Sequence, residues 1–129
     1  MAKVHKHLLV KGYLDKAPTE NYIPFLRVWF LDLVKKIDMN ILMDPYCVWC
    51  DEPGNEGCTG IVGLTTSHSA IHFFEDSQPE FKFCLYSCSD FDEKDVFEKL
   101  KEFGTYSIDY TLIDRDTNII LKSEYGVKI

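Results

Sequence analysis

Residues 58–88 read CTGIVGLTTSHSAIHFFEDSQPEFKFCLYSC. Three apolar, β-branched or aromatic runs follow one another with short polar gaps, the pattern of consecutive strands. CTGIVGLTT makes one strand, SAIHFF the next and FKFCLYSC a third. DSQPE supplies Asp, Ser and Pro for the second turn. The first reversal falls on TSH, where the usual turn residues Gly, Asn, Asp and Pro are all absent. Thr66, Ser67, His68, Ser69 and His72 crowd this reversal instead, and such a set of hydroxyls and imidazoles asks for a chemical reason.

The elements outside this segment complete a fold class. HKHLLVKGYL is half alternating and reads as an opening strand, followed by a loop, DKAPTEN. From Tyr22 to Ile37 apolar residues recur at helical spacing, with Phe25, Trp29, Leu33 and Ile37 in one stripe and Pro24 tolerable in the first turn. MNILM and CVW form a strand bent or interrupted at Asp44-Pro45, and CDEPGNEG is the strongest loop signal. SDFDEKDVFEKLKEFG is a second helix, capped by Ser89 or Asp90, with Phe91, Val96, Leu100 and Phe103 on its buried side and Gly104 after its end. TYSIDYTLID is a long strand, and NIILKS a short one in the tail. The order β-α-β-β-β-α-β predicts an α+β two-layer sandwich: a mostly antiparallel sheet with two helices packed on one face. The length, 129 residues, fits a single domain over 1–129.

Composition limits the function. The formal charge is −7, with 21 acidic residues against 14 basic ones, so no nucleic-acid partner is expected. No apolar run is long enough for a membrane span, and the start lacks a signal peptide's apolar region, so a cytoplasmic protein without membrane attachment is expected. Five cysteines, an odd number, then read as free thiols. Cys47 and Cys50 have C-x-x-C spacing, but structural zinc wants a second close ligand pair, and only Cys58 with a distant His68 or His72 could offer one. A redox motif would need the pair to open a helix, and a loop follows it here; no metal is expected. P-loop and dinucleotide glycine motifs are absent.

Singly, the polar residues of 59–88 have ordinary readings. A turn serine commonly bonds to nearby backbone. His72, in an alternating strand, resembles any surface histidine. Cys88, at a strand end before a helix, occupies a place that suits a reactive thiol and also a buried one. Together, however, TGIV, TSHSAIHFFED and CLYSC resemble the core of the small prokaryotic and phage-type S-adenosylmethionine decarboxylase proenzymes. That family's pattern is roughly S-G-V-V, then E-S-H-x-x-I-H-T-W-P-E, then a strand ending D-x-F-T-C. HLLVKGYLD resembles its opening strand, and the likeness covers roughly residues 5 to 113.

The resemblance implies a pyruvoyl-dependent decarboxylase that acts on S-adenosylmethionine for polyamine synthesis. Ser67 matches the serine that becomes the pyruvoyl cofactor after self-cleavage between 66 and 67. His72 matches the histidine that assists cleavage, Thr59 a supporting serine, His68 the histidine after the cleavage serine, and Cys88 the cysteine that returns a proton. Phe74, Glu75 and Asp76 fall in the segment expected to bind substrate. Thr66 replaces the family's glutamate, Cys84 an aspartate, and FFED the T-W-P-E run. These changes leave open a pyruvoyl decarboxylase for another amino acid, such as arginine or ornithine. They also leave open an unprocessed, non-catalytic homologue that binds S-adenosylmethionine or regulates a partner. The resemblance further implies a homodimer.

Overall fold

The computed structural model describes residues 4–116 and 118–128, with side chains as far as Ile119. Strands β1 (Lys6–Leu14), β2 (Ile41–Cys50), β3 (Gly57–Leu64), β4 (Ser67–Phe74), β5 (Glu80–Ser87), β6 (Thr105–Asp114) and β7 (Ile120–Lys128) form one sheet in the order β2-β3-β4-β5-β1-β6-β7. Every neighbouring pair is antiparallel. Helices α1 (Ile23–Lys36) and α2 (Glu93–Lys101) lie over one face, so the architecture is the expected α+β two-layer sandwich.

Alternation sorts the side chains. Leu8, Val10 and Leu14, Val62 and Leu64, Ile71 and Phe73, and Phe81, Phe83 and Leu85 point to the helical layer and are buried. They meet Leu26, Trp29, Phe30, Leu33 and Val34 of α1 and Val96 and Leu100 of α2 in one core. Gly12 lies under this layer because the Phe81 ring covers it; a Cβ there would stand 2.1 Å from the ring. Trp29 joins the two helices, since its indole N–H donates to the Lys99 carbonyl at 2.9 Å.

Several expectations are adjusted. The first helix begins after a 3₁₀ turn, Glu20–Tyr22, and Phe25 is 63% exposed rather than part of the buried stripe. The stripe is centred on Leu26, Trp29, Phe30 and Leu33, and Phe25 falls beyond its rim, its ring tilted against that of Tyr22 at 5.8 Å between centroids. Asp92, not Ser89 or Asp90, caps the second helix, accepting the Lys94 N–H at 2.9 Å; Asp90 accepts from Phe91 instead. Asp44-Pro45 does not break β2: the strand continues through register shifts around Met43, which an edge strand tolerates. The first reversal is Thr65-Thr66, so Ser67 and His68 already belong to β4. The tail strand pairs with β6 from Ile120 to Lys128, longer than NIILKS.

Candidate active site

The corner between β3 and β4 is fixed by register. Leu64 faces Ser67 across the two-residue turn, and Ser67 faces Ser87 on β5. The residue after Ser87 is therefore laid against the Thr66 peptide. The Cys88 N–H donates to the Thr66 carbonyl oxygen at 3.2 Å, and the Cys88 thiol donates to the same oxygen, also at 3.2 Å. Ser87 Oγ donates to Thr66 Oγ1 at 3.0 Å and accepts the Ser89 N–H at 2.9 Å. The Ser67 hydroxyl is different: its Oγ is buried and has no hydrogen-bond partner among the described residues. An unmet buried hydroxyl costs about 1–3 kcal/mol and is uncommon enough to call for a function.

His72 is not brought to this corner. It lies five residues along β4, roughly 17 Å at strand rise, and on the opposite face of the sheet. There its Nδ1 lies 3.1 Å from Thr59 Oγ1, so these two matched residues do meet each other. His68, beside Ser67, also points to the open face. Phe74 ends β4 with Lys82 Nζ 5.7 Å from its ring centroid. Glu75 and Asp76 follow in the exposed turn, where Asp76 accepts the Ser77 N–H at 2.6 Å. The sequence-matched residues thus divide between two places: Thr66, Ser67 and Cys88 at the corner, and Thr59, His72 and Phe74 toward the far end of the open face.

The open face is built from cross-strand rows. Val48, Thr59, His72, Lys82, Lys11 and Asp109 stand opposite one another in turn, and so do Tyr46, Ile61, Ala70, Cys84, Leu9 and Thr111. The central parts of both rows line a trough of about 780 Å³, with a polar side at His72, Lys11, Lys82 and Asp109 and an apolar floor at Leu9 and Ala70. Glu80 sits between the two lysines, 3.6 Å from Lys11 and 3.1 Å from Lys82. Burial pushes the Cys84 thiol above its ordinary value, and pushes Cys47 and Cys58 up to about 11, so these sulfurs stay protonated. Sequence reasoning missed Lys11, Lys82 and Asp109 because each is an ordinary outward residue of its own strand; only register makes them neighbours.

A third row of the same face holds His68, Tyr86, His7 and Ile113. Burial, then the Arg115 charge, then His68, hold His7 below its ordinary 6.5. The folded chain therefore binds fewer protons here than the unfolded one near that pH, and stability rises with pH across this window. His7's contribution is complete above 6.5 and is lost as the pH falls through its lowered value. Thermal melts between about pH 7.5 and about pH 5 are expected to show a smaller acid loss in His7→Gln than in wild type.

Among the described residues no helix is long and apolar enough to cross a membrane. A sheet of this order, with helices on one face and a hydroxyl-rich hairpin corner, defines an α+β sandwich of the S-adenosylmethionine decarboxylase type. The family model described as S-adenosylmethionine decarboxylase matches residues 6–116, and the chain belongs to that family. Among solved structures, a phage SAM lyase in complex with S-methyl-5′-thioadenosine aligns over 97% of this chain and 90% of its own, at 10% identity and a TM-score of 0.43. A phage SAM lyase in the apo state aligns over 98% and 90%, at 12% identity and a TM-score of 0.42. No curated protein matches the chain.

Proposed function

We propose that the chain is a proenzyme that breaks itself between Thr66 and Ser67 and then decarboxylates S-adenosylmethionine through a pyruvoyl group at position 67. The observation that carries this reading is the Thr66 carbonyl, held by the N–H and thiol of Cys88 next to the unpartnered Ser67 hydroxyl. Donors on a carbonyl oxygen stabilise the negative charge that builds there during attack. Ser67 Oγ adds to the Thr66 carbonyl carbon, and the bond to the Ser67 nitrogen opens, leaving an ester and a free amine. Loss of the Ser67 α-proton expels the Thr66 carboxylate from the β-carbon. Water then replaces the nitrogen, which departs as ammonia. Residues 1–66 end in a carboxylate, and residues 67–129 begin with a keto group.

The residues at the corner suit that group. Its carbonyl supplies an electrophile that takes a substrate amine and withdraws electrons from the bond to be broken. Cys88 Sγ, one hydrogen bond from the Thr66–Ser67 peptide, holds a proton within reach of a reacting carbon at position 67. The trough begins at Ala70, roughly 10 Å along β4 from Ser67 and on the opposite face of the sheet from its side chain, so cleavage must first free the new chain start at position 67 for its keto group to reach a small molecule held there. In this reading His72 and Thr59 position substrate in the trough, because their distance from Ser67 removes them from the peptide bond of their own chain.

A second reading has its own support. The separation of His72 from Ser67, with Thr66 in place of an acid, favours an unprocessed homologue that binds S-adenosylmethionine without turning it over. Carboxyl-labelled S-adenosylmethionine, arginine and ornithine, offered separately, distinguish the cases by the carbon dioxide released. Release from S-adenosylmethionine alone is the expected result. Release from arginine or ornithine alone moves the substrate, and binding without release favours the second reading.

Two copies joined through their open faces complete the proposal. Tyr46, Val48 and Ile61, on the β2–β3 side beyond the trough, leave apolar surface there that a second sheet would cover. Sedimentation is expected to give a dimer for the wild type and a monomer for Ile61→Asp, since a carboxylate in the middle of that contact would lose its water.

A further inference from the structure

The row that contains His68 carries an assembly that the reaction above does not use. Arg115 lies over the Tyr86 ring, with Cζ 4.4 Å from the centroid, and its Nη1 is 3.2 Å from His7 Nδ1. The His7 and His68 rings lie 5.7 Å and 5.8 Å from that of Tyr86, and His5 Nδ1 is 2.8 Å from the Tyr86 hydroxyl. A guanidinium only donates hydrogen bonds. His7 Nδ1 must therefore accept, which places the imidazole proton on Nε2. That Nε2 is buried and has no partner among the described residues, so it is a donor left without an acceptor. Arg115 likewise forms no ion pair with a carboxylate among the described residues. The nearby acid, Asp116, is exposed and sits 3.8 Å from His5 Nε2.

The geometry points to a binding site for a small oxyanion, a carboxylate or a phosphate group, held by Arg115, the Nε2–H of His7 and His68. A guanidinium already fixed against an aromatic ring loses little freedom when it binds such a group. The anion would satisfy the orphaned N–H and offset the Arg115 and His68 charges that, after burial, hold His7 below its ordinary value. The site is independent of chain cleavage: it lies on the open face, while the Ser67 side chain lies on the other.

Histidine-labelled protein, followed through its ring ¹H–¹⁵N signals, tests this with inorganic phosphate and with methionine as probes. The His7 and His68 signals should move saturably, and Arg115→Gln should weaken that binding at least about tenfold. Arg115→Lys, which keeps the charge but not the fork, should fall between the two; it also serves if Arg115→Gln does not fold. Saturation with phosphate alone assigns a phosphate ligand, and with methionine alone an amino-acid carboxylate; either supports the site. Unsaturable or absent shifts with both probes would overturn it. So would affinities in folded Arg115→Gln or Arg115→Lys equal to wild type.

Discussion

Ser67→Ala is expected to leave one uncleaved chain and to abolish carbon dioxide release. The hydroxyl is the only atom of residue 67 able to attack the Thr66 carbonyl, and alanine has no replacement for it. The substitution also removes a buried hydroxyl that has no partner, so the fold should not suffer. Stability equal to or above wild type, with both activities lost, is the combined signature; denaturant midpoints and intact mass read it. Loss of the chain break through unfolding would appear instead as a lowered midpoint. Ser67→Cys is expected to keep the break through the corresponding thioester and to lose turnover.

Cys88→Ala is expected to act on both stages, and unequally. The thiol is one of two donors on the Thr66 carbonyl oxygen, and the backbone N–H remains after the change. Cleavage should therefore slow by roughly tenfold to a hundredfold, less than full loss of an oxyanion site, and still go to completion. Decarboxylation by the cleaved form should fall by at least about a hundredfold, because the positioned acid is gone. Time courses of cleavage and turnover on the same preparation separate the two effects. Equal losses in both would mean that the thiol acts only through the carbonyl.

The strands of residues 58–88 were legible because their alternation survives in the folded sheet, as Ser69, Ile71 and Phe73 show on β4. Their register was not. Alternation tells which residues share a face of one strand, and says nothing of which residue stands opposite on the next. Cys88 meets the Thr66 carbonyl because Ser67 pairs with Ser87, a relation no local pattern encodes. The same limit hid the divide between Ser67 and His72. Five residues read as close in sequence, while a strand carries them to opposite faces and far apart. Lys11 and Asp109, nearly a hundred residues apart in the chain, became neighbours only through the β1–β6 pairing. Ser89 and Asp90 are expected caps by residue type, but Asp92 precedes the same helix too, and hydrogen-bond geometry alone selects it.

Denaturing intact-mass spectrometry of the purified wild-type protein, before and after long incubation, tests the central claim most directly. The account predicts two fragments, residues 1–66 and residues 67–129, with the second lacking a free amino terminus and lighter than its encoded sequence by the mass change of serine to pyruvoyl. A single full-length mass that persists while the protein still releases carbon dioxide from S-adenosylmethionine would contradict it.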